Sequence, residues 1–297
     1  MSDVLYYLSS LFSASLKSVL AKPNWPLIIL VLLWVFVAVI QDFKKREVAN
    51  WWNFSLIAVI LVYRAFVAVS FNDLWYFLWA IIGLLIGFLL ANIFYYARMF
   101  AGGDAKLLMA LGAFLPLGST WEVNLLIFVL FILLFVVAGS IYGLVYSLIL
   151  VLINFRGFKS SFKKQFYKYK SQSLYFMLFF VILLVLSVWF KFELGIIFSL
   201  MFFFLPVLLL GAKSIEDSGL TKFVSVRDLT VGDWLTDSIK VGKKKIKPNW
   251  EGLSEEELDL INKKLSQNKK IEIKYGIPFT PAFLLGLLAL FAIAYFI

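Results

Sequence analysis

The chain has 297 residues, of which 62% are hydrophobic and 15% are charged, and its formal net charge is +10. Soluble domains average roughly 45–50% apolar and about 25% charged residues, so this chain has too few polar side chains to cover a water-soluble core. It contains no Cys and no His, which excludes disulfides, thiolate or histidine metal centres, and catalysis by either residue. The composition indicates an integral membrane protein, and we expect neither a cofactor nor a metal.

Long apolar runs predict an all-α polytopic membrane protein with about eight membrane helices, because a β-barrel would alternate polar and apolar residues. In chain order these runs cover residues 26–41, 52–71, 74–98, 105–118, 122–154, 174–190, 193–211 and 277–297. The fourth run is shorter than the roughly 20 residues of a full crossing, so it either begins outside the membrane plane or lies in a protein-lined cleft. Before the first run, residues 1–25 carry apolar side chains at helical spacing, which is typical of an interfacial amphipathic helix.

Basic residues collect in three of the segments that connect these runs, namely 42–50, 155–171 and 212–276. The positive-inside rule places all three segments in the cytoplasm. This orientation predicts a multi-pass protein of the cell membrane. Basic residues at the surface of the lipid bilayer account for the net charge, so we expect no nucleic-acid partner.

Residues 212–276 are expected to form a small cytoplasmic domain inserted before the last helix. Residues 222–226 and 271–273 are strand-like, residues 231–233 predict a turn, and Ser254 before three glutamates predicts a capped helix that ends near Leu265. The mixed charges fit a solvated domain, or a surface that docks substrate or lipid. The chain is thus divided into an interfacial helix (1–25), a membrane core (26–211), this insert (212–276) and a last membrane helix (277–297).

Three carboxylates outside the insert fall on the predicted cytoplasmic side of the membrane core: Asp42, Glu47 and Asp104. Counting crossings places Asp42, at the end of the first helix, and Asp104, at the start of the fourth, at the same face and a similar depth. Two neighbouring carboxylates in a poorly solvated cleft share a proton, so one activates water while the other protonates a carbonyl. Taken singly, each Asp also fits an ordinary helix cap or an ion pair.

The residues around these aspartates resemble the prepilin peptidase family. The segment GGDAKL at 102–107, which leads to Gly-Ala at 112–113, is similar to the family's GxGD segment. The segment DFKKREVAN at 42–50 resembles its first aspartate motif, and PFTP at 278–281 resembles the opening of its last helix. The three segments lie in the family order, whereas the helices between them match only in hydrophobicity.

This resemblance implies a membrane aspartic peptidase of the GxGD type, with Asp42 and Asp104 as the catalytic pair. Gly102 and Gly103 would let an extended substrate approach the backbone, and Lys106 either contacts substrate or is an interfacial lysine. The implied substrates are pilin-like or archaellin precursors, whose class III signal peptide is cut at the cytoplasmic membrane face. The chain lacks the four-cysteine domain of bacterial members and is more similar to the archaeal prepilin and preflagellin peptidases.

Two positions depart from the family pattern. Ala101 replaces the first Gly of GxGD, and Ala49 replaces the Pro that precedes Asn50. Neither change removes a carboxylate, so we expect both to affect the local backbone. Asn50 and Asn53 are expected to hydrogen-bond the Asp42 loop or to be interfacial polar residues.

Two features inside the predicted helices concern packing. Arg64 lies in the middle of the second run and is expected to face protein or water. Gly83, Gly87 and Ala91 form a small-residue ridge on the third run, which favours close helix packing.

Two other classes of protein stay open. A protease of the presenilin or signal-peptide-peptidase type has its first Asp in the middle of a helix, whereas Asp42 follows Gln41 at a predicted helix end. A polytopic transporter or pilus-assembly platform protein would use its carboxylates to bind cations or protons. Cleavage of a precursor without any ion gradient distinguishes a protease from this last class.

Overall fold

The computed structural model describes residues 10, 13, 17, 19–242, 244–249 and 251–296, and it is predominantly helical. Its longer helices are α1 (Trp25–Lys45), α2 (Asn50–Phe71), α3 (Leu74–Tyr96), α4 (Gly102–Phe114), α5 (Trp121–Ile153), α6 (Phe155–Lys168), α7 (Lys170–Trp189), α8 (Glu193–Gly219), α9 (Glu255–Lys264) and α10 (Thr280–Phe296). The strands are β1 (Thr221–Ser225), β2 (Trp234–Leu235), β3 (Ile239–Val241), β4 (Lys244–Ile246) and β5 (Lys270–Lys274). The amphipathic helix predicted at 1–25 lies mostly outside the described residues.

Each of the eight predicted membrane runs forms a helix, so the all-α polytopic fold is confirmed. Six of these helices are long and apolar enough to cross a membrane: α1, α2, α3, α5, α7 and α8. The other two are shorter, with 13 residues in α4 and 17 in α10. At about 1.5 Å per residue, α4 rises roughly 20 Å, which is less than the thickness of about 30 Å of a hydrocarbon core.

The chain divides into two compact units, of which the first contains the residues up to Leu144 together with Pro278–Ile297. Helix α4 is the most enclosed element of this unit. Its buried side chains surround the helix axis and include Leu107, Leu108, Ala110, Leu111 and Phe114. A helix that is apolar on all sides is stable only when other elements cover it. Burial of α4 therefore holds Asp104, in its first turn, at the edge of the core.

Helices α3 and α4 pack backbone against backbone at three glycines. A Cβ atom on Gly83 would overlap the carbonyl oxygen of Gly112, and one on Gly87 would lie 2.9 Å from the Cα atom of Gly112. The two helices approach this closely because none of the three residues has a side chain. The packing ridge predicted at Gly83, Gly87 and Ala91 is confirmed, and all three residues are buried.

Arg64 binds the carbonyl end of α4 from inside the protein. Its side chain is fully buried on α2, and its guanidinium donates to the main-chain oxygens of Tyr76 at 3.0 Å, Phe114 at 2.8 Å and Pro116 at 2.6 Å. The last carbonyl groups of a helix lack partners within the helix, and they carry partial negative charge. Arg64 supplies both the hydrogen bonds and the positive charge that this buried helix end needs. The expectation that it faces protein is confirmed.

The second unit spans Val145–Ile277 and contains α6 to α8 followed by the strands. Strand β5 lies between β1 and β2 and is antiparallel to both, while β3 and β4 form a separate hairpin. The predicted strands at 222–226 and 271–273 and the capped helix after Ser254 are confirmed. Lys274 donates to Glu216 at 2.6 Å and Tyr275 donates to the main-chain oxygen of Gly219 at 2.9 Å. These contacts hold the sheet at the end of α8.

The basic segment 155–171, predicted only as a loop, is largely the helix α6. Its inner face carries Phe158, Phe162 and Gln165 at helical spacing, and Gln165 hydrogen-bonds Asp217 of α8. The lysines lie on the exposed face of the helix. The helix was not predicted because only a narrow face of it is apolar, and the many lysines between those residues made the segment read as a loop.

Candidate active site

Of the two candidate aspartates, Asp42 lies at the C-terminal end of one helix and Asp104 at the N-terminal end of another. Asp42 is buried in the last turn of α1, which stops at Arg46, where the backbone adopts a left-handed conformation (φ 57°) and the amide donates to the Asp42 carbonyl oxygen. Asp104 lies in the first turn of α4 and is half-buried. Ala101, the N-cap of α4, has an extended backbone (φ −70°, ψ 161°), which any residue adopts. The family's Gly is therefore not needed at position 101 for this conformation.

Thr280 brings the two aspartates to one place. Its backbone amide donates to Oδ2 of Asp42 at 3.0 Å, and its hydroxyl donates to Oδ1 of Asp104 at 3.4 Å. Thr280 is fully buried and opens α10. The surrounding PFTP segment resembles a family motif, but no role was predicted for Thr280 from the sequence. The one polar side chain in this otherwise apolar motif could have indicated that Thr280 faces the site.

The electrostatic environment favours a neutral Asp104. Burial raises the pKa of this carboxyl group to about 7, and the nearby charge of Asp42 raises it further in the same direction. Hydrogen bonds from Thr280 and from the Ala101 amide oppose the shift, since they stabilise the carboxylate. A proton is therefore available on Asp104 near neutral pH.

Gly102 and Gly103 differ in their surroundings. A Cβ atom on Gly103 would lie 3.3 Å from the amide nitrogen of Val48 and 3.5 Å from its carbonyl oxygen. A Cβ atom on Gly102 would have a ring carbon of Tyr95 as its nearest neighbour, at 4.0 Å. Gly103 thus permits a close approach to the chain that follows Asp42, whereas Gly102 has open space beside it.

Two asparagines of α2 hold the beginning of α4. The side-chain amide of Asn53 donates to the main-chain oxygen of Gly103 at 3.1 Å, and Lys106 donates to Oδ1 of Asn50 at 2.5 Å. Of the two alternatives expected for these asparagines, a bond to the Asp42 loop is not what the described residues show: residues three apart on one helix face point the same way, and both side chains contact α4. Lys106 follows Asp104 by two residues in α4, and its ammonium group is bound to Asn50.

The loop after Asp42 is fixed by Gln41. Its Oε1 atom accepts a hydrogen bond from the Ala49 amide at 3.1 Å. The backbone of Ala49 (φ −59°, ψ 135°) is the conformation that proline would impose. Ala49 therefore keeps the shape of the family's proline and adds a donor that proline lacks.

The described residues offer no group of three or more Asp or Glu side chains that could hold a metal ion.

Part of the chain is similar to known peptidases. Residues 29–148, which contain both aspartates, match the type IV leader peptidase family. A preflagellin peptidase of Methanocaldococcus jannaschii is 32% identical over 82 residues, which cover 28% of this chain and 35% of that relative. The chain therefore aligns with about a third of the length of this curated relative. No solved structure matches.

Residues 29–148 are similar to the type IV leader (prepilin) peptidase family. The resemblance to this family and to its archaeal branch, predicted from the motifs at the aspartates, is confirmed. Thr280 lies outside the matched residues 29–148, so its place in the site comes from the fold.

Proposed function

We propose that the protein is a membrane aspartic endopeptidase that cleaves the class III signal peptide of pilin-like or archaellin precursors at the cytoplasmic membrane face. The observation that carries this proposal is the pair of hydrogen bonds from Thr280 to Asp42 and Asp104. Through these bonds two carboxyl groups that are 62 positions apart in the sequence contact the same buried residue. The match of residues 29–148 to a peptidase family supports the same activity.

The chemistry follows from the protonation of the pair. Asp104, whose pKa is raised to about 7, carries the proton and acts as the general acid. Asp42 acts as the general base: it removes a proton from water, the hydroxide attacks the peptide carbonyl carbon, and Asp104 protonates the carbonyl oxygen. When the tetrahedral intermediate collapses, Asp42 gives its proton to the amide nitrogen, Asp104 takes a proton back from a hydroxyl group of the intermediate, and the C–N bond breaks. Both carboxyl groups then return to their starting states.

The substrate class is argued from the relative and from the position of the aspartates. The relative is a preflagellin peptidase. Both aspartates lie at ends of helices of this protein, and in a precursor bound there the junction between the basic leader and the apolar helix would reach the same level. We assign 26–211 and 277–297 as the peptidase core and 212–276 as an insert. Gly102, Gly103 and Lys106 are assigned to substrate binding, and the open side of Gly102 is where the substrate backbone approaches.

Cleavage by the purified protein tests this function. The full chain in detergent, without an ion gradient, is incubated with an archaellin precursor, and the new amino terminus is identified by mass spectrometry. We expect Asp42→Asn and Asp104→Asn each to abolish cleavage, and the double variant to be no worse, because the two groups act as a unit. Glu47→Gln, an exposed carboxylate in the same loop, is the control and retains activity. If wild type and all variants leave the precursor intact, a transporter or assembly platform becomes the better assignment.

The cytoplasmic orientation needs its own experiment, and the absence of Cys from the sequence provides one. Single cysteines are introduced at Ser160, Glu256 and Asn72, all of which are exposed. We expect a membrane-impermeant maleimide to label Ser160→Cys and Glu256→Cys in inside-out vesicles and Asn72→Cys in intact cells. The reverse labelling pattern would place the aspartates at the outer face.

A further inference from the structure

Thr280 makes one hydrogen bond through its main chain and another through its side chain, each to a different aspartate. The amide reaches Oδ2 of Asp42 at 3.0 Å, and the hydroxyl reaches Oδ1 of Asp104 at 3.4 Å. Because the two donors belong to one residue, the position of one carboxyl group is tied to that of the other. Asp42 and Asp104 lie on separate helices, so the local geometry of the chain does not fix their positions relative to each other.

The packing around Phe279 keeps Thr280 in place. The Phe279 ring lies 5.6 Å from that of Phe135 and 5.9 Å from that of Phe100, measured between centroids. Gly139 of α5 approaches the same ring so closely that a Cβ atom there would lie 3.1 Å from it. The Phe279 carbonyl oxygen accepts from the Ala282 amide at 3.0 Å and so starts α10. Aromatic rings packed in this way leave the main chain of Thr280 little freedom.

We propose that Thr280 is a positioning residue that sets the relative orientation of the two catalytic carboxyl groups. The inference rests on the proposed peptidase function, since it concerns the geometry of that same pair. The amide engages a single oxygen of Asp42, and the hydroxyl engages a single oxygen of Asp104. Rotation of either carboxyl group breaks one of these bonds, so both groups stay aligned on the water and the scissile carbonyl.

A hydroxyl suits this role because the proton on Asp104 is lost and regained in each catalytic cycle. A hydroxyl group both donates and accepts hydrogen bonds, so Thr280 keeps its contact whether Asp104 is neutral or ionised. The amide only donates, and Oδ2 of Asp42 can keep accepting this bond while Oδ1 carries the proton taken from water. The two halves of Thr280 thus match the different tasks of the two aspartates.

Substitutions separate the two contacts, because only the hydroxyl depends on the side chain. Thr280→Val keeps the amide and the shape of the side chain but removes the hydroxyl, whereas Thr280→Ser keeps the hydroxyl. Misplacement of a catalytic group by about 1 Å costs on the order of 100-fold in rate. We therefore expect Thr280→Val to lower kcat about 10- to 100-fold at an almost unchanged KM. Thr280→Ser should stay within about threefold of wild type, since its donor is retained.

The measurement uses the full chain in detergent with a purified archaellin precursor, and kcat and KM are determined for each variant. Thr236→Val in the insert is the matched control, because the Thr236 hydroxyl is buried without a hydrogen-bond partner. We expect this control to equal wild type. Wild-type kcat in Thr280→Val would overturn the proposal. So would equal losses in Thr280→Val and Thr280→Ser, which would mean that retaining the hydroxyl does not preserve the rate.

An infrared readout does not depend on cleavage. The carboxylic-acid band of Asp104 is identified by its loss in Asp104→Asn, and we expect it to shift in Thr280→Val but not in Thr280→Ser. An unshifted band in Thr280→Val contradicts the contact. A band shift in Thr280→Val, found while the wild-type protein cuts no precursor, would support the contact and refute the proposed function. If Thr280→Val does not fold, Thr280→Ala replaces it in both measurements, with the same expected results.

Discussion

Asn53, fully buried on α2, donates a hydrogen bond of 3.1 Å to the main-chain oxygen of Gly103, the residue directly before Asp104. Through this bond, the second helix holds the turn that presents a candidate catalytic carboxyl group. Asn50, one turn earlier on α2, contacts Lys106 at the exposed edge of the same region. The two asparagines therefore make similar contacts at very different depths.

This difference in depth predicts different effects of truncation. Asn53→Ala removes a buried donor to the Gly103 carbonyl oxygen and leaves a cavity, and we expect the free energy of unfolding to fall by about 1–3 kcal/mol. Cleavage should fall at least about tenfold because Asp104 loses its alignment. Asn50→Ala removes an exposed contact and should cost less than about 1 kcal/mol. Thermal unfolding in detergent and kcat measure both effects, and equal effects of the two variants would refute this explanation.

The glycines before Asp104 should respond differently to a methyl group. In Gly103→Ala the new Cβ atom lies 3.3 Å from the Val48 amide nitrogen, so the loop after Asp42 has to shift and kcat should fall about tenfold or more. In Gly102→Ala the nearest atom is 4.0 Å away, so the protein should fold and unfold as wild type does. Steady-state kinetics and melting temperatures test the pair. A stable, fully active Gly103→Ala would show that the close approach to Val48 is unimportant.

The raised pKa of Asp104 predicts a decline in cleavage above neutral pH. Since Asp104 acts as the acid and its pKa is about 7, kcat/KM should fall by about a factor of ten per pH unit above that value. A pH–rate profile of the purified protein measures this limb. A rate that is constant from pH 7 to pH 9 would exclude Asp104 as the acid.

The same shift predicts how stability depends on pH. The folded protein binds the Asp104 proton more tightly than the unfolded chain, whose Asp residues titrate near 3.9, so stability from this group falls as pH rises from about 4 to about 7. Asp104→Asn stays neutral and lacks this loss. We therefore expect its melting temperature to exceed that of wild type at pH 8 and to approach it at pH 4. A difference that grows towards acid would contradict the sign of the shift.

Removal of the Arg64 guanidinium should unfold the first unit. Arg64→Met leaves the carbonyl oxygens of Phe114 and Pro116 buried without their donor, and we expect a loss of at least about 3 kcal/mol in the free energy of unfolding. Tyr76→Phe is the control: it removes a 2.9 Å hydrogen bond to Asn24 but keeps the ring beside Arg64, and should cost about 1 kcal/mol. Size-exclusion profiles and thermal unfolding compare the two. A well-folded Arg64→Met would refute the role of this residue at the end of α4.

The sequence was sufficient for features that depend on neighbours along the chain. Apolar runs predicted eight helices, Ser254 and Glu257 predicted a capping box, and the residues around Asp42 and Asp104 predicted the family. Helix α6 was missed because its apolar face is narrow and its lysines dominate the composition. These features are local. A membrane helix, a helix cap and a short motif each depend on residues that are close together in the sequence.

Only the tertiary structure could assign partners across long separations. Thr280 lies 238 residues from Asp42 and 176 from Asp104, and Arg64 lies 50 residues from Phe114. The sequence determined that this is a polytopic helical protein, similar over residues 29–148 to a peptidase family, with two candidate carboxylates. The folded structure decided that Thr280 joins them, that Asn53 supports Gly103, and that Arg64 completes the end of α4. A hydrogen bond depends on the distance and direction between two atoms, and these are set by how the helices pack, which no local pattern specifies.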